Sequence, residues 1–173
     1  MAKLLYQGHA SLRITTEQNK VIYIDPYAGE GYQLPADMVL ITHEHYDHNG
    51  IHRIKLKENT VVIRAKDGLN GGIYRHFEYF GVSVTATPAQ NAKHDLRDCV
   101  GYLVEVEGKK IYVAGDTDYV PFMEELAKED VDYALLPIDG IYNMGPEEAS
   151  RVAGIIKPKH LMPYHMKPGQ LFD

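Results

Sequence analysis

The chain has 173 residues, 45% of them apolar, enough to bury one sizeable core and too few for two ordinary domains. Charged residues make up 24% and are scattered in both signs around a formal net charge of -6, so neither a disordered tail nor a nucleic-acid-binding stripe is indicated. The single cysteine, Cys99, excludes an internal disulfide, and the absence of an apolar leader or of any apolar run of about 18 residues points to one cytoplasmic domain, residues 1–173, with no membrane partner.

The chain opens on short strands over residues 3–6, 10–14 and 20–24, with Thr16-Glu17-Gln18-Asn19 as a turn and Asp25-Pro26 as a stop. The run Met38-Val39-Leu40-Ile41 is too short for a helix and too continuous for a half-exposed strand, so it predicts a buried strand. A short helix is expected over residues 49–57, followed by β-rich runs over 60–64 and 82–87. The aromatic-rich segment 70–80 between those runs carries only a faint helical pattern. Residues 100–107 and 109–114 alternate apolar and polar positions around Gly108, a hairpin pattern that delivers Gly115-Asp116-Thr117-Asp118 to a strand end. A helix over residues 121–128, a buried strand over 131–136 and a helix over 146–156 come next, the last favoured by Pro146, Glu147 and Glu148 in its first turn. Residues 160–164 form the final strand, with His165 at its end. Strands in two groups with helices outside them predict a layered α/β or α+β sandwich.

Residues 42–50 read THEHYDHNG and hold three of the nine histidines. In an extended segment His43 and His45 point to the same side, about 7 Å apart, close enough to share an ion after a slight bend. A turn after them swings Asp47 and His48 toward a second position, so one loop could serve two metals. With histidine at roughly one residue in twenty, a chance His-x-His-x-Asp-His is on the order of one in a thousand, which disfavours the alternative of a plain polar turn. Catalytic zinc takes three protein ligands and leaves a place for water, so further ligands must come from distant loops. His94, Asp116 and His165 each follow a strand end. Taken singly each is as readily a surface, core or turn residue; their common placement is what raises them.

The order Asp25, THEHYDHNG, His94, Gly115-Asp116-Thr117 and His165 resembles the metallo-β-lactamase fold superfamily. Gly8-His9-Ala10-Ser11, Asp25-Pro26-Tyr27, Asn143-Met144-Gly145-Pro146-Glu147 and Met162-Pro163-Tyr164-His165 are similar to the branch that contains L-ascorbate-6-phosphate lactonase and related small hydrolases. The resemblance spans residues 3–166 and implies a four-layer αββα sandwich of two mixed sheets with helices outside. It also implies a ligand set: His43, His45 and His94 on one divalent cation, Asp47, His48 and His165 on the other, and Asp116 bridging them. Zinc suits these imidazoles best, while manganese or iron also accepts nitrogen and oxygen ligands. Asp25 is implied as an orienting carboxylate and His9 as a neighbour of the site; Tyr142, Asn143 and Lys167 lie in loops expected near the cleft.

Two such cations lower the pKa of a bridging water, so the ligand set points to hydroxide attack on a small ester, lactone or phosphoester, the substrate being anionic if Lys167 and the helix start at Pro146 face it. With one metal, Asp47 would instead serve as general base. Two other readings remain open at this stage: an iron-dependent oxidoreductase or dioxygenase of the same fold, and a non-catalytic metal-stabilised binding protein. Only eight residues follow His165, and the stretch from His48 to His94 is short, so the pocket is expected to be shallow or to be completed by a second copy of the chain.

Overall fold

The computed structural model describes residues 1–166. The first sheet contains β1 (Lys3–Gly8), β2 (Ser11–Thr15), β3 (Val21–Ile24), β4 (Ala36–Leu40) and β5 (Leu56–Ile63), in that spatial order. The hairpin strands β1, β2 and β3 run antiparallel, and β3, β4 and β5 run parallel. Alternation explains the apolar run in the sequence, because both faces of β3 and β4 are covered. Ile22, Ile24, Met38 and Leu40 enter the central core, whereas Val21, Tyr23, Val39 and Ile41 enter a second cluster on the opposite face.

After α1 (Ala65–Gly68) and a small ladder of β6 (Leu69–Asn70) with β7 (Ile73–Tyr74), the chain builds the second sheet. This sheet comprises β8 (His76–Tyr79), β9 (Val82–Pro88), β10 (Val100–Val106), β11 (Lys109–Val113), β12 (Tyr133–Pro137) and β13 (His160–Tyr164). Its spatial order is β13-β12-β11-β10-β9-β8. Leu12, Ile14 and Leu40 from the first sheet meet Val84, Tyr102 and Val113 from the second in the central core. The buried hydroxyl of Tyr102 crosses between the sheets to donate to the Ile41 carbonyl at 2.9 Å.

The outer face of the second sheet is covered by a 3-10 helix, Pro121–Lys128, and by α2 (Pro146–Ile156), whose Met123, Leu126, Val152 and Ile156 bury against Tyr112, Ala134 and Leu136. These layers make the fold an αββα sandwich. The outer layer over the first sheet is thin. The helix expected over residues 49–57 is a single 3-10 turn, Ile51–Arg53, and β5 already begins at Leu56. Gly50 lies so close to the Pro26 carbonyl that a Cβ there would sit 2.3 Å from its oxygen, which presses this segment flat against the 26–27 turn. Pairing of β5 with β4 then claims the residues that helix periodicity had suggested. Segment 70–80, with its faint helical pattern, is likewise strand, in β7 and β8. Residues 121–128 are helical as expected, but in the tighter 3-10 form. Among the described residues no helix is long and apolar enough to cross a membrane.

The parallel relations in both sheets bring the carboxyl ends of β1, β3, β4, β9, β11, β12 and β13 to one edge of the sandwich. Open α/β sheets place ligands at such an edge, because loops there converge without interrupting the core. The central core is the part that holds this edge together. Leu40→Ala, at a fully buried position one strand residue from the edge, is expected to cost about 2–5 kcal/mol, read as a lowered urea midpoint of the metal-free protein.

Candidate metal centre

Each side chain that the sequence singled out as a ligand stands at this edge. His43, His45, Asp47 and His48 leave β4 in a turn closed by the His48 and Asn49 amides, which donate to the His45 carbonyl at 3.1 and 3.0 Å. His94 comes from the loop after β9 and His165 from the residue after β13. Asp116 follows Gly115, whose φ of +72° and close approach to the Val100 carbonyl exclude any side chain there. His9, Asp25 and His165 hold left-handed backbone conformations, with φ of 53°, 44° and 50°. For non-glycine residues this strain costs on the order of 1 kcal/mol each, and it concentrates where function does.

The donor atoms form overlapping clusters. His43, His45 and His94 offer ligand atoms within 4.8 Å of one another; so do His43, His48 and Asp116, and so do His9, Asp47, His48 and His165. Asp116 lies between the groups, with Oδ2 3.9 Å from His43 Nε2 and Oδ1 3.3 and 3.5 Å from the Nε2 atoms of His48 and His165. His43 Nε2, His48 Nε2, His165 Nε2 and Asp116 Oδ1 are buried and make no hydrogen bond among the described residues. Four converging polar atoms that make no hydrogen bond at the centre of a folded protein fit a metal site, since each is a metal donor and buried donors are ordinarily hydrogen-bonded.

The far sides of the same rings are held. His48 Nδ1 is 2.8 Å from Asp25 Oδ2, and His165 Nδ1 is 3.0 Å from Asp139 Oδ2. Asp25 also accepts from the Thr42 amide at 2.8 Å and the Thr42 hydroxyl at 2.6 Å. With its proton given to Asp25, the Thr42 oxygen is left to accept from His43 Nδ1, 3.0 Å away, which fixes the tautomer that leaves the His43 Nε2 lone pair free. Asp139 gathers the amides of Ile141, Tyr142 and Asn143 as well.

Charge follows from these contacts. Burial and the neighbouring His48, His94 and His45 hold His43 far below the ordinary histidine range, so its imidazole is neutral and ready to ligate. Burial and His45 lower His94 in the same direction. Burial alone would lower His48, but the carboxylates of Asp116 and Asp25 push it up to about 9. Burial would raise Asp47, yet the hydrogen bond from His9 Nε2 at 3.1 Å and the charge of His48 bring it well below the usual carboxylate range. For Asp139 burial is again outweighed, here by His165 and by the amides it accepts. Cys99 lies behind His43, its Sγ 3.8 Å from His43 Nδ1, on the far side of the ring from Nε2, and burial and Asp116 push its thiol far up.

A cavity of about 540 Å³ opens over the cluster, walled by His9, His45, Tyr46, Asp47, Lys93, His94, Asp116 and Tyr142. A larger hollow, about 740 Å³, runs along β1 past Leu5, Gln7 and Glu30, and none of the metal donors lines it. Of the three residues expected near the cleft, Tyr142 is in the wall. Asn143 is behind it, its amide used on Asn91 at 2.7 Å and Asp139 at 2.6 Å. Lys167 lies outside the described residues. The start of α2 does not reach the cavity, so its backbone is no anion site for it. Glu44, a spacer in the sequence, turns outward to Arg64 at 2.8 Å; Tyr46, also a spacer there, lines the cavity. Asp139 was missed, although it follows the end of β12 just as His165 follows β13. Lys93 had no periodic or motif signal, and Thr42, though it opens the THEHYDHNG stretch, was given no role.

Residues 3–165 match the β-lactamase superfamily domain. The chain belongs to that family. It is 34% identical to a metal-dependent hydrolase of Thermococcus onnurineus over 191 residues, covering 95% of this chain and 84% of the relative. A crystal structure from Parabacteroides distasonis, named as a metal-dependent hydrolase, superposes with a TM-score of 0.82 at 30% identity, over 98% of this chain and 84% of that one. One from Thermotoga maritima, named as a Zn-dependent hydrolase of the metallo-β-lactamase superfamily, gives 0.71 at 26% identity, over 99% and 79%. The chain is thus a metal-dependent hydrolase of the metallo-β-lactamase fold.

Because Asp25 orients His48 directly and His43 through Thr42, Asp25→Ala is expected to weaken zinc binding about 10–100-fold in a competition titration. Unchanged affinity would show that the rings need no such anchor. His48 is protonated below about 9 in the metal-free protein and must shed that proton to ligate, so zinc uptake at fixed free metal strengthens as pH rises from 6 toward 9. Calorimetry in buffers of different ionisation enthalpy reads the released proton directly.

Proposed function

We propose that the chain binds two divalent cations, zinc in preference to manganese or iron, and hydrolyses a small ester, lactone or phosphoester in the cytoplasm. His43, His45 and His94 hold the first cation, Asp47, His48 and His165 the second, and Asp116 lies between them. The observation that carries this reading is the set of buried, unbonded donor atoms on His43, His48, His165 and Asp116, all facing one another beside an open cavity. Cations bound there would supply an acidified water and charge stabilisation for a carbonyl or phosphoryl oxygen.

The chain's own groups do the rest. Asp47 lines the cavity and is held ionised by His9 Nε2; with two cations it would be a ligand, and with one it would instead take the proton of the attacking water and pass it to the leaving group. A side-chain nucleophile is disfavoured. Among the residues lining the cavity there is no serine or cysteine; Ser11 is buried and bonded to the Asp25 carbonyl at 2.7 Å. A cavity open on one side also speaks against a purely structural metal, which would be enclosed by its ligands.

Metal analysis of the purified protein should find about two zinc ions per chain, as two-metal hydrolytic sites require. Asp116→Ala should lose metal and lower the hydrolysis of p-nitrophenyl esters at least about 100-fold, as expected when a group aimed at developing charge is removed. Full metal content and full activity in that variant would overturn the bridging assignment.

A further inference from the structure

Lys93 is the only lysine or arginine among the cavity-lining residues, and it has no carboxylate within ion-pair distance among the described residues. Neighbouring charges behave differently: Arg97 pairs with Asp95 at 2.5 Å and Arg64 with Glu44 at 2.8 Å. The position of Lys93 is also built. Asn91 Oδ1 accepts the amides of both Lys93 and His94 at 2.8 Å, so the lysine and the proposed ligand are set by one turn. The Asn91 amide in turn donates to Asn143 Oδ1 at 2.7 Å, and Asn143 donates to Asp139 at 2.6 Å, tying that turn to the loop that carries Tyr142.

Asp25, Asp47, Asp116 and Asp139 face the buried histidines at the centre, and none of these carboxylates is within ion-pair distance of Lys93. Two aromatic side chains line the same cavity. Tyr46 is 76% exposed and Tyr142 45% exposed, and both line the cavity. Large rings held at a cavity wall rather than in the core offer flat apolar faces to a ligand.

Building on the hydrolase reading above, we propose that the cleft selects a substrate with a fixed negative charge beside the bond it breaks, held by Lys93, and a flat apolar group set against Tyr46 and Tyr142. Lys93 acts on specificity. It steers and seats the charged end, and because the ammonium is exposed its effect is screened by salt.

The test compares mono-p-nitrophenyl glutarate with its neutral methyl ester on zinc-loaded protein; the two share a leaving group and differ in one charge. Wild type should favour the anion by about tenfold or more in kcat/KM at low salt, less at 0.5 M salt, with the ratio near one in Lys93→Met and restored in Lys93→Arg. A ratio near one in wild type, or a preference that survives in Lys93→Met, overturns the proposal. Calorimetric binding of benzenesulfonate, a planar anion and poor metal ligand, against methyl phenyl sulfone supplies an arm independent of turnover. There the wild-type preference for the sulfonate should fall about tenfold in Lys93→Met, and an unchanged preference overturns the proposal. If neither ester is hydrolysed while the sulfonate result holds, the hydrolase reading fails for these esters and the anion site stands.

Discussion

A single buried carboxylate, Asp25, organises the edge on which everything functional stands. It has no exposure, and its own backbone is pinned on both sides, the amide donating to the Leu40 carbonyl at 3.0 Å and the carbonyl accepting from Ser11 Oγ at 2.7 Å. Around that fixed point the loop after β4 is tethered three times, through the Thr42 amide, the Thr42 hydroxyl and His48 Nδ1. A carboxylate that accepts several hydrogen bonds in a dry setting tolerates its burial, and it aims the histidines that depend on it. Asp139 does the equivalent for His165 from the other sheet.

The two halves meet through backbone as well as side chain. The His165 amide donates to the His9 carbonyl at 2.9 Å, and the Val100 amide donates to the Thr42 carbonyl at 3.0 Å, so the loops of one sheet are registered on those of the other. Metal donors drawn from both sheets are therefore held in one frame before any ion arrives. Within that frame His43 is held neutral while His48, 4.0 Å away between ring centroids, is held toward its charged form. Cations bound there would take the place of the His48 proton, supplying positive charge where the carboxylates converge and partners for the unbonded nitrogens.

Much of this was legible because the chemistry is local. His43, His45, Asp47 and His48 share one turn, and placement after strand ends singled out His94, Asp116 and His165, which the structure brings to the same edge. The sandwich too could be read, since Met38-Val39-Leu40-Ile41 is apolar on every residue only if both faces of its strand are covered. What escaped depended on contacts far apart in sequence. Asn143 resembled a cleft residue and became a buried strut because Asn91, 52 residues earlier, claims it. Tyr46 resembled a spacer because nothing in its neighbourhood reveals that the cavity opens beside it. The helix over residues 49–57 failed for a related reason: helical spacing around Ile51 and Ile54 is real, and both residues do pack on the sheet, but one 3-10 turn suffices for that.

That thin outer layer shows how separable the site is from the shell around it. The second sheet is backed by α2 and the 121–128 helix, whereas among the described residues the first carries only a turn and the 26–35 segment, with Tyr32 and Ile54 closing over Tyr23 and Val39. Yet the histidine loop is anchored to Asp25, Thr42 and the strand ends, none of which belongs to the outer layer. A shell reduced on one side can therefore leave the donor geometry intact. The surfaces that border the cavity, the side chains of Lys93, Tyr46 and Tyr142, lie on the same loops that carry or brace the metal donors, so what lines the cavity is set by the backbone that sets the site.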